Sequence, residues 1–328
     1  YLFCMLRFFR CPENGSSDLP YLKFIYEINM PTHNIPFGQP MLDQDEIDAV
    51  TKVLKGPILA HGSVCLEFEE AFAKHIGVDH AISVSSGTSG LHLSLFSRQI
   101  GLGDEVIVPA MTHVATAHAV EYCSAKPIFV DVDPKSGNIA SDVIPTQITE
   151  NTKSIMVVHF LGLPCDMDKI NADAEKHQLF VIEDAALAVD ALYGETKAGA
   201  LGNVGCFSFY PIKHMTTIEG GMVTTNDPEL AESVRKRKAF GYDHSHQTRR
   251  KPGIYDVPIL GYNYRMNEVE AAVGLCQLAK LDHKLKIRET NYNALKNTLS
   301  EIDEITVFDP VQGKARSSCY CLNAILPR

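Results

Sequence analysis

Lys213 stands in CFSFYPIKHMTTIEGGMVTTND (206–227), between two strand-like runs and close to Pro211 and a glycine pair. A half-buried lysine is costly because its ammonium loses water, and it is usually kept where the amine has chemistry to do. Twenty-nine residues earlier, LFVIEDAALAVDA carries Glu183 and Asp184 to the end of an apolar run that reads as an interior strand. A carboxylate there needs a cationic partner. A salt bridge, or the N-cap of a helix over AALAV, would serve as well. In SVSSGTSGLHL a strand ends at Val84, small residues turn, and a helix starts near Thr88. Backbone N–H groups and hydroxyls converge at that point, as they do in a phosphate cup or in an ordinary capped turn.

Each feature has an ordinary reading by itself. Together they are the three groups that pyridoxal 5′-phosphate requires. An amine forms a Schiff base with the aldehyde, a carboxylate keeps the pyridine nitrogen protonated, and a helix terminus takes the phosphate. The protonated ring can then accept the electrons of a broken Cα–H bond. Lys213, displaced by an amino donor, becomes a free amine able to move the proton from Cα to C4′.

These groups need a scaffold, and the chain alternates in the way that supplies one. AISV, EVIVP, PIFVDV, IMVVHF and LFVIED are short apolar runs, with helical segments such as TSGLHLSLFSRQIG and DMDKINADAEKHQ between several of them. Runs buried on both faces with helical crossovers specify a mostly parallel sheet covered by helices, the α/β class. In such sheets ligands collect at the carboxyl ends of the strands. The last stretch, SSCYCLNAILPR, reads as a strand with Cys319 and Cys321 on one side. The organisation expected is an extension over 1–32 outside the fold, a large cofactor-binding domain over 33–245, and connecting helices over 246–328 that open a smaller, truncated C-terminal α/β domain.

Composition narrows the class further. The net charge is −10 and 45% of residues are hydrophobic, and no basic run exceeds four residues, which argues against an extended nucleic-acid surface. Nine cysteines without a CxxC pair read as reduced thiols in cytoplasm, with no metal site. No segment has the length and apolarity of a membrane span.

From about Ile35 to Arg328 the chain resembles the DegT family of sugar aminotransferases, pyridoxal phosphate enzymes of fold type I. SSGTSGLHLSL is similar to the family's phosphate turn, which implies Gly87, Thr88 and Ser89 on the phosphate. VIVPAMTHVATAHAV resembles the segment whose aromatic residue stacks on the cofactor ring, a place held here by His113. VIEDAA implies Asp184 on the pyridine nitrogen, and FSFYPIKHMTTIEGG implies Lys213 for the Schiff base and Ser208 for the phosphate. GYNYRMNEVEAAVGLCQLAKLD looks like the segment that reaches into a neighbouring subunit, which implies Asn263 on the partner's phosphate and a homodimer.

Two positions depart from the family. Leu187 replaces the glutamine or histidine usual three residues after the aspartate, and Ile218 stands where the turn usually has glycine. Lys213 is kept, whereas a related branch that removes a sugar hydroxyl has histidine in its place. The resemblance therefore implies an aminotransferase that moves an amino group from an amino acid, glutamate, to a nucleotide-linked keto sugar. The alternatives are a pyridoxamine-type sugar dehydratase and a non-catalytic relative that binds cofactor or sugar.

Overall fold

The computed structural model describes residues 38–60, 62–243 and 254–326. The extension expected over 1–32 lies outside the described residues. From Pro40 onward the chain forms one compact unit. It opens with helices α1 (Gln44–Leu54) and α2 (Ser63–Ile76). Asp43 and Glu46 close a capping box on α1, and Gly77, with φ of 88°, ends α2 in the left-handed conformation.

There follow β1 (His80–Val84), α3 (Gly87–Ser97), β2 (Glu105–Pro109), α4 (Val114–Tyr122), β3 (Lys126–Val130), the short α5 (Ile144–Gln147) and β4 (Thr152–Val158). Next are α6 (Met167–His177), β5 (Phe180–Asp184), the two-residue strands β6 (Leu192–Tyr193) and β7 (Thr196–Lys197), then β8 (Val204–Ser208) and β9 (Gly221–Thr225). Helices α7 (Pro228–Arg237), α8 (Glu268–Ala279) and α9 (Leu281–Leu299) lead to four short strands. These are β10 (Thr306–Val307), β11 (Val311–Gln312), β12 (Ala315–Arg316) and β13 (Ala324–Ile325).

The main sheet has the strand order β1-β9-β8-β5-β4-β2-β3. The pairs β2/β3, β2/β4, β4/β5 and β5/β8 are parallel, while β9 is antiparallel to both β8 and β1. Within this sheet β9 is thus the strand that runs against the others. Its faces are covered by helices through separate apolar clusters. One gathers Ile82, Leu93, Val120 and Val234, and another Phe68, Phe72, Phe207 and Phe209. This is the mostly parallel α/β architecture that the apolar runs predict. The turns after β1, β2, β5 and β8 lie at the carboxyl edge of the sheet, and they carry Gly87, His113, Asp184 and Lys213 in order.

Two local expectations are corrected. AALAV is not a helix: Ala188 N–H donates to the Ala185 carbonyl (2.9 Å) and Ala191 N–H to that of Ala188 (3.0 Å), in successive tight turns. The Ala185 N–H is drawn to the Cys206 carbonyl (2.9 Å), and Asp190 has a φ of 62°, so a helix cannot propagate. Nor is SSCYCLNAILPR a continuous strand. Only Ala324–Ile325 pairs, with β10, and Cys319 has a φ of 53°, so Cys319 and Cys321 do not share a strand face.

Candidate active site

The phosphate-type turn is built by a reciprocal cap. Ser86 Oγ accepts the Ser89 N–H (3.0 Å), and Ser89 Oγ accepts the Ser86 N–H (3.0 Å). The Ser89 hydroxyl also donates to the Ser86 carbonyl (2.7 Å), so it is committed to holding the turn. Among the described residues the N–H groups of Gly87 and Thr88 have no acceptor. Three backbone segments converge around them. A Cβ added at Gly87 would lie 2.9 Å from Ser208 Cβ, and one added at Gly221 would lie 2.5 Å from the Ser86 carbonyl carbon. Glycine is required at both places by this approach, which leaves a cradle of two free N–H groups beside the Ser208 hydroxyl.

Asp184 ends β5 and is buried. Its Oδ2 accepts the Thr116 hydroxyl (2.9 Å), which in turn lies 2.8 Å from Thr112 Oγ1, and its Oδ1 accepts the Ala186 N–H (3.2 Å). Burial pushes the carboxyl above the ordinary carboxylate range, although these two hydrogen bonds and the charge of Lys213 pull the other way. No ion pair with Asp184 occurs among the described residues. A buried acid that hydrogen bonds do not fully compensate suits a ring N–H⁺.

Lys213 lies in the turn after β8, its backbone N–H donating to the Tyr210 carbonyl (2.9 Å). Burial pushes its amine below the ordinary lysine range, against the opposing charge of Asp184. The amine and the acid each sense the other's charge without forming a direct pair. The sequence set no residue over the amine. In the structure the Tyr320 ring centroid is 5.6 Å from Nζ, brought there by the C-terminal segment.

Glu183 and Asp184 point to opposite faces, as successive strand residues must. Glu183 is fully buried and accepts N–H groups from Gly199, Leu201 and Gly202, each at 2.7 Å, with His159 Nε2 at 2.8 Å. The Cys165 N–H donates to His159 Nδ1 (3.2 Å), so the imidazole proton sits on Nε2 and is given to Glu183. Glu183 thus ties β5 to the loop over 199–202 and faces away from Asp184.

His113 is the N-cap of α4. Its Nδ1 accepts the Ala115 N–H (3.2 Å), its side chain is exposed, and one helical turn on lies Thr116. No hydrogen bond or ring contact joins it to Asp184 or Lys213 among the described residues. Asn263 is exposed, in an isolated bridge with Ala239, while the next residue's carbonyl accepts the Ser85 N–H (2.8 Å). Of the predicted residues, Gly87, Thr88, Ser89 and Ser208 form the cradle, and Asp184 and Lys213 lie within each other's field. His113 and Asn263 face outward in the single chain. Thr116 and Tyr320 carried no signal in the sequence, because a threonine in a helix and a tyrosine near a terminus are unremarkable types.

The two departures also have definite places. The Leu187 carbonyl accepts the Ser318 hydroxyl (3.2 Å), so that position anchors the C-terminal segment. Ile218 has a φ of 75°, in the region that favours glycine, with 53% of its surface exposed.

A cradle of free N–H groups, an under-compensated acid and a buried amine at one edge of such a sheet fit a pyridoxal phosphate-dependent aminotransferase of fold type I, and comparison with known proteins establishes that class. The profile of the DegT/DnrJ/EryC1/StrS aminotransferase family matches residues 40–328, and the chain belongs to that family. It is 45% identical over 256 residues to the GDP-perosamine synthase of Caulobacter vibrioides, covering 78% of this chain and 67% of that protein. PseC of Helicobacter pylori, an aminotransferase involved in the biosynthesis of pseudoaminic acid, superposes with a TM-score of 0.82 at 30% identity, over 89% of this chain and 78% of that one. Spr1654 of Streptococcus pneumoniae in its PLP form gives a TM-score of 0.83 at 25% identity, over 90% and 78% of the two chains. It is known in a PMP form as well. The chain is accordingly an aminotransferase of this family. Among the described residues no helix is long and apolar enough to cross a membrane.

Proposed function

We propose that this chain transfers an amino group from glutamate to the keto group of a nucleotide-linked sugar, as a homodimer in the cytoplasm. The observation that carries the reading is the opposed bias of two groups at one sheet edge: Asp184 held above its usual range and Lys213 below its own. When bound, pyridoxal phosphate supplies an aldehyde that captures amines and a ring that accepts electrons. Asp184 keeps a proton on the ring nitrogen by placing an anion against it. The Gly87 and Thr88 N–H groups and the Ser208 hydroxyl hold the phosphate, with Ser89 securing the turn. Lys213, whose burial favours the neutral amine, would take the proton from Cα of the donor and pass it to C4′.

His113 provides the flat surface for the ring, and Asn263 completes the phosphate site of the adjoining subunit. Its exposure in the single chain fits that place. So do apolar side chains left open nearby in sequence, among them Leu260 at 68% exposure. A relative named for GDP-perosamine supports the nucleotide linkage.

The test is borohydride reduction of the loaded protein followed by peptide mass spectrometry, then incubation with glutamate and a panel of nucleotide-linked keto sugars. A phosphopyridoxyl group on Lys213 and an amino sugar product are expected. A deoxy sugar would establish dehydration instead, and a label on another lysine would remove Lys213 from the reaction.

A further inference from the structure

His214, the neighbour of Lys213, is buried at 3% exposure. Its Nε2 lies 3.2 Å from the Ser318 carbonyl oxygen, so Nε2 carries the proton and donates. Nδ1 is buried without a partner among the described residues. An orphaned ring nitrogen is destabilising, and an apolar ring would avoid that cost. What the imidazole supplies in return is one directed bond to the segment that carries Tyr320.

That segment is fixed at further points. The Ser318 N–H donates to the Gly162 carbonyl (3.0 Å), and Arg288 Nη1 on α9 donates to the Tyr320 carbonyl (3.1 Å). The His214 and Tyr320 rings are 5.3 Å apart. Held in this way, the Tyr320 ring lies 5.6 Å from Lys213 Nζ, within the range at which an aromatic face attracts an ammonium.

We infer that Tyr320 is an aromatic wall that stabilises the protonated Lys213 side chain, and that His214 is a positioning residue that holds this wall. The inference rests on the reading of Lys213 as the reacting amine. Such an amine must both carry a proton and release it, so the balance between the two forms matters more than either alone. Burial favours the free amine, while Asp184 on β5 and the Tyr320 ring favour the ammonium.

The other groups facing this spot leave that balance to the ring and the acid. Cys321, on the same segment as Tyr320, is pushed up to about 12 by burial and stays a neutral thiol. Arg288 is 5.9 Å from the Tyr320 ring. His214 is pushed down to about 3 by burial and the charge of Arg288, so it is a neutral donor at every working pH.

The experiment is competitive acetylation of Lys213 across pH in the full chain freed of cofactor, read by mass spectrometry of the Lys213 peptide, with a thermal melt for each variant. Tyr320→Leu should lower the titration midpoint by about half a pH unit or more. Tyr320→Phe, which keeps the ring, should leave it in place. His214→Phe should lower it too, and His214→Gln, which restores an N–H donor, should return it toward the parent. An unmoved midpoint in Tyr320→Leu, or equal shifts in the Leu and Phe variants, overturns the wall. A His214→Phe variant that melts earlier with its midpoint unmoved overturns the positioning role. Failure of the underlying functional reading shows differently, as a borohydride label on a lysine other than Lys213.

Discussion

The Thr116 hydroxyl donates to Asp184 Oδ2 at 2.9 Å across 68 residues of sequence, and it is the only side-chain donor that the acid has among the described residues. Helix α4 is therefore coupled to the end of β5 through one hydrogen bond to a carboxylate that burial already disfavours as an anion. Thr116→Val keeps the shape and deletes the donor. Asp184 should become a weaker anion, and the dissociation constant for pyridoxal phosphate should rise about tenfold, the effect of about 1.4 kcal/mol lost at a charged acceptor. Fluorescence titration of the cofactor-free protein measures this. An unchanged constant would show that Asp184 does not depend on the bond.

The same acid should make the cofactor-free chain less stable than it could be. Its pKa is raised above the ordinary 3.8, so the folded state binds the proton more tightly than the unfolded state. The stabilisation is complete below about pH 3.8 and is lost as pH rises through the folded value. Asp184→Asn should accordingly melt higher than the parent at pH 7 without cofactor, with the difference shrinking toward pH 4. The same variant should lose on the order of 10²–10³-fold in kcat, the scale seen when one preorganised electrostatic group is removed from a reacting centre. Paired melts at the two pH values read the first part, and steady-state rates read the second.

Much of the scaffold was legible because its strands are buried on both faces. EVIVP coincides with β2 residue for residue, and LFVIED with β5 save for Leu179. The turn between Val84 and Thr88 was legible for a similar reason, since it follows from local backbone chemistry. What depended on tertiary partners was hidden. AALAV has helical composition, but Ala185 is claimed by the Cys206 carbonyl. SSCYCL has strand composition, but His214, Gly162 and Arg288 hold it as an irregular segment over the amine. Lys213, Asp184 and the glycine turn could be found because rare types recur in a functional pattern. Thr116 and Tyr320 are common types whose importance comes from distance alone.

Ile218 offers a test of strain. A β-branched residue at a φ of 75° is held in a conformation that costs about 1–2 kcal/mol relative to the right-handed region. With half its surface exposed, the side chain returns little packing for that cost. Ile218→Gly should raise stability by roughly 0.5–1 kcal/mol, the gain in strain being offset in part by the greater freedom of glycine in the unfolded chain. Urea unfolding measures it. A lower midpoint would mean that the isoleucine is covered in the assembled protein.

The neighbouring acids Glu183 and Asp184 should respond to amide substitution in opposite ways. Glu183 is already fully compensated by three backbone N–H groups and the His159 Nε2–H, so it behaves as a buried linchpin between β5 and the loop over 199–202. Glutamine at 183 turns one acceptor oxygen into an NH₂ group facing donors. That leaves at least one N–H unmet and weakens the charge-assisted bonds that remain, a loss of about 3–5 kcal/mol by analogy with breaking other buried charged networks. The melting temperature should fall steeply, while any protein that folds retains kcat close to the parent, because Glu183 points to the face of β5 opposite Asp184. Asp184→Asn should do the reverse, folding well and turning over poorly. Normalising activity to the folded fraction separates the two outcomes. If the Glu183→Gln protein were stable but inactive, the division of labour between these adjacent carboxylates would have to be reassigned.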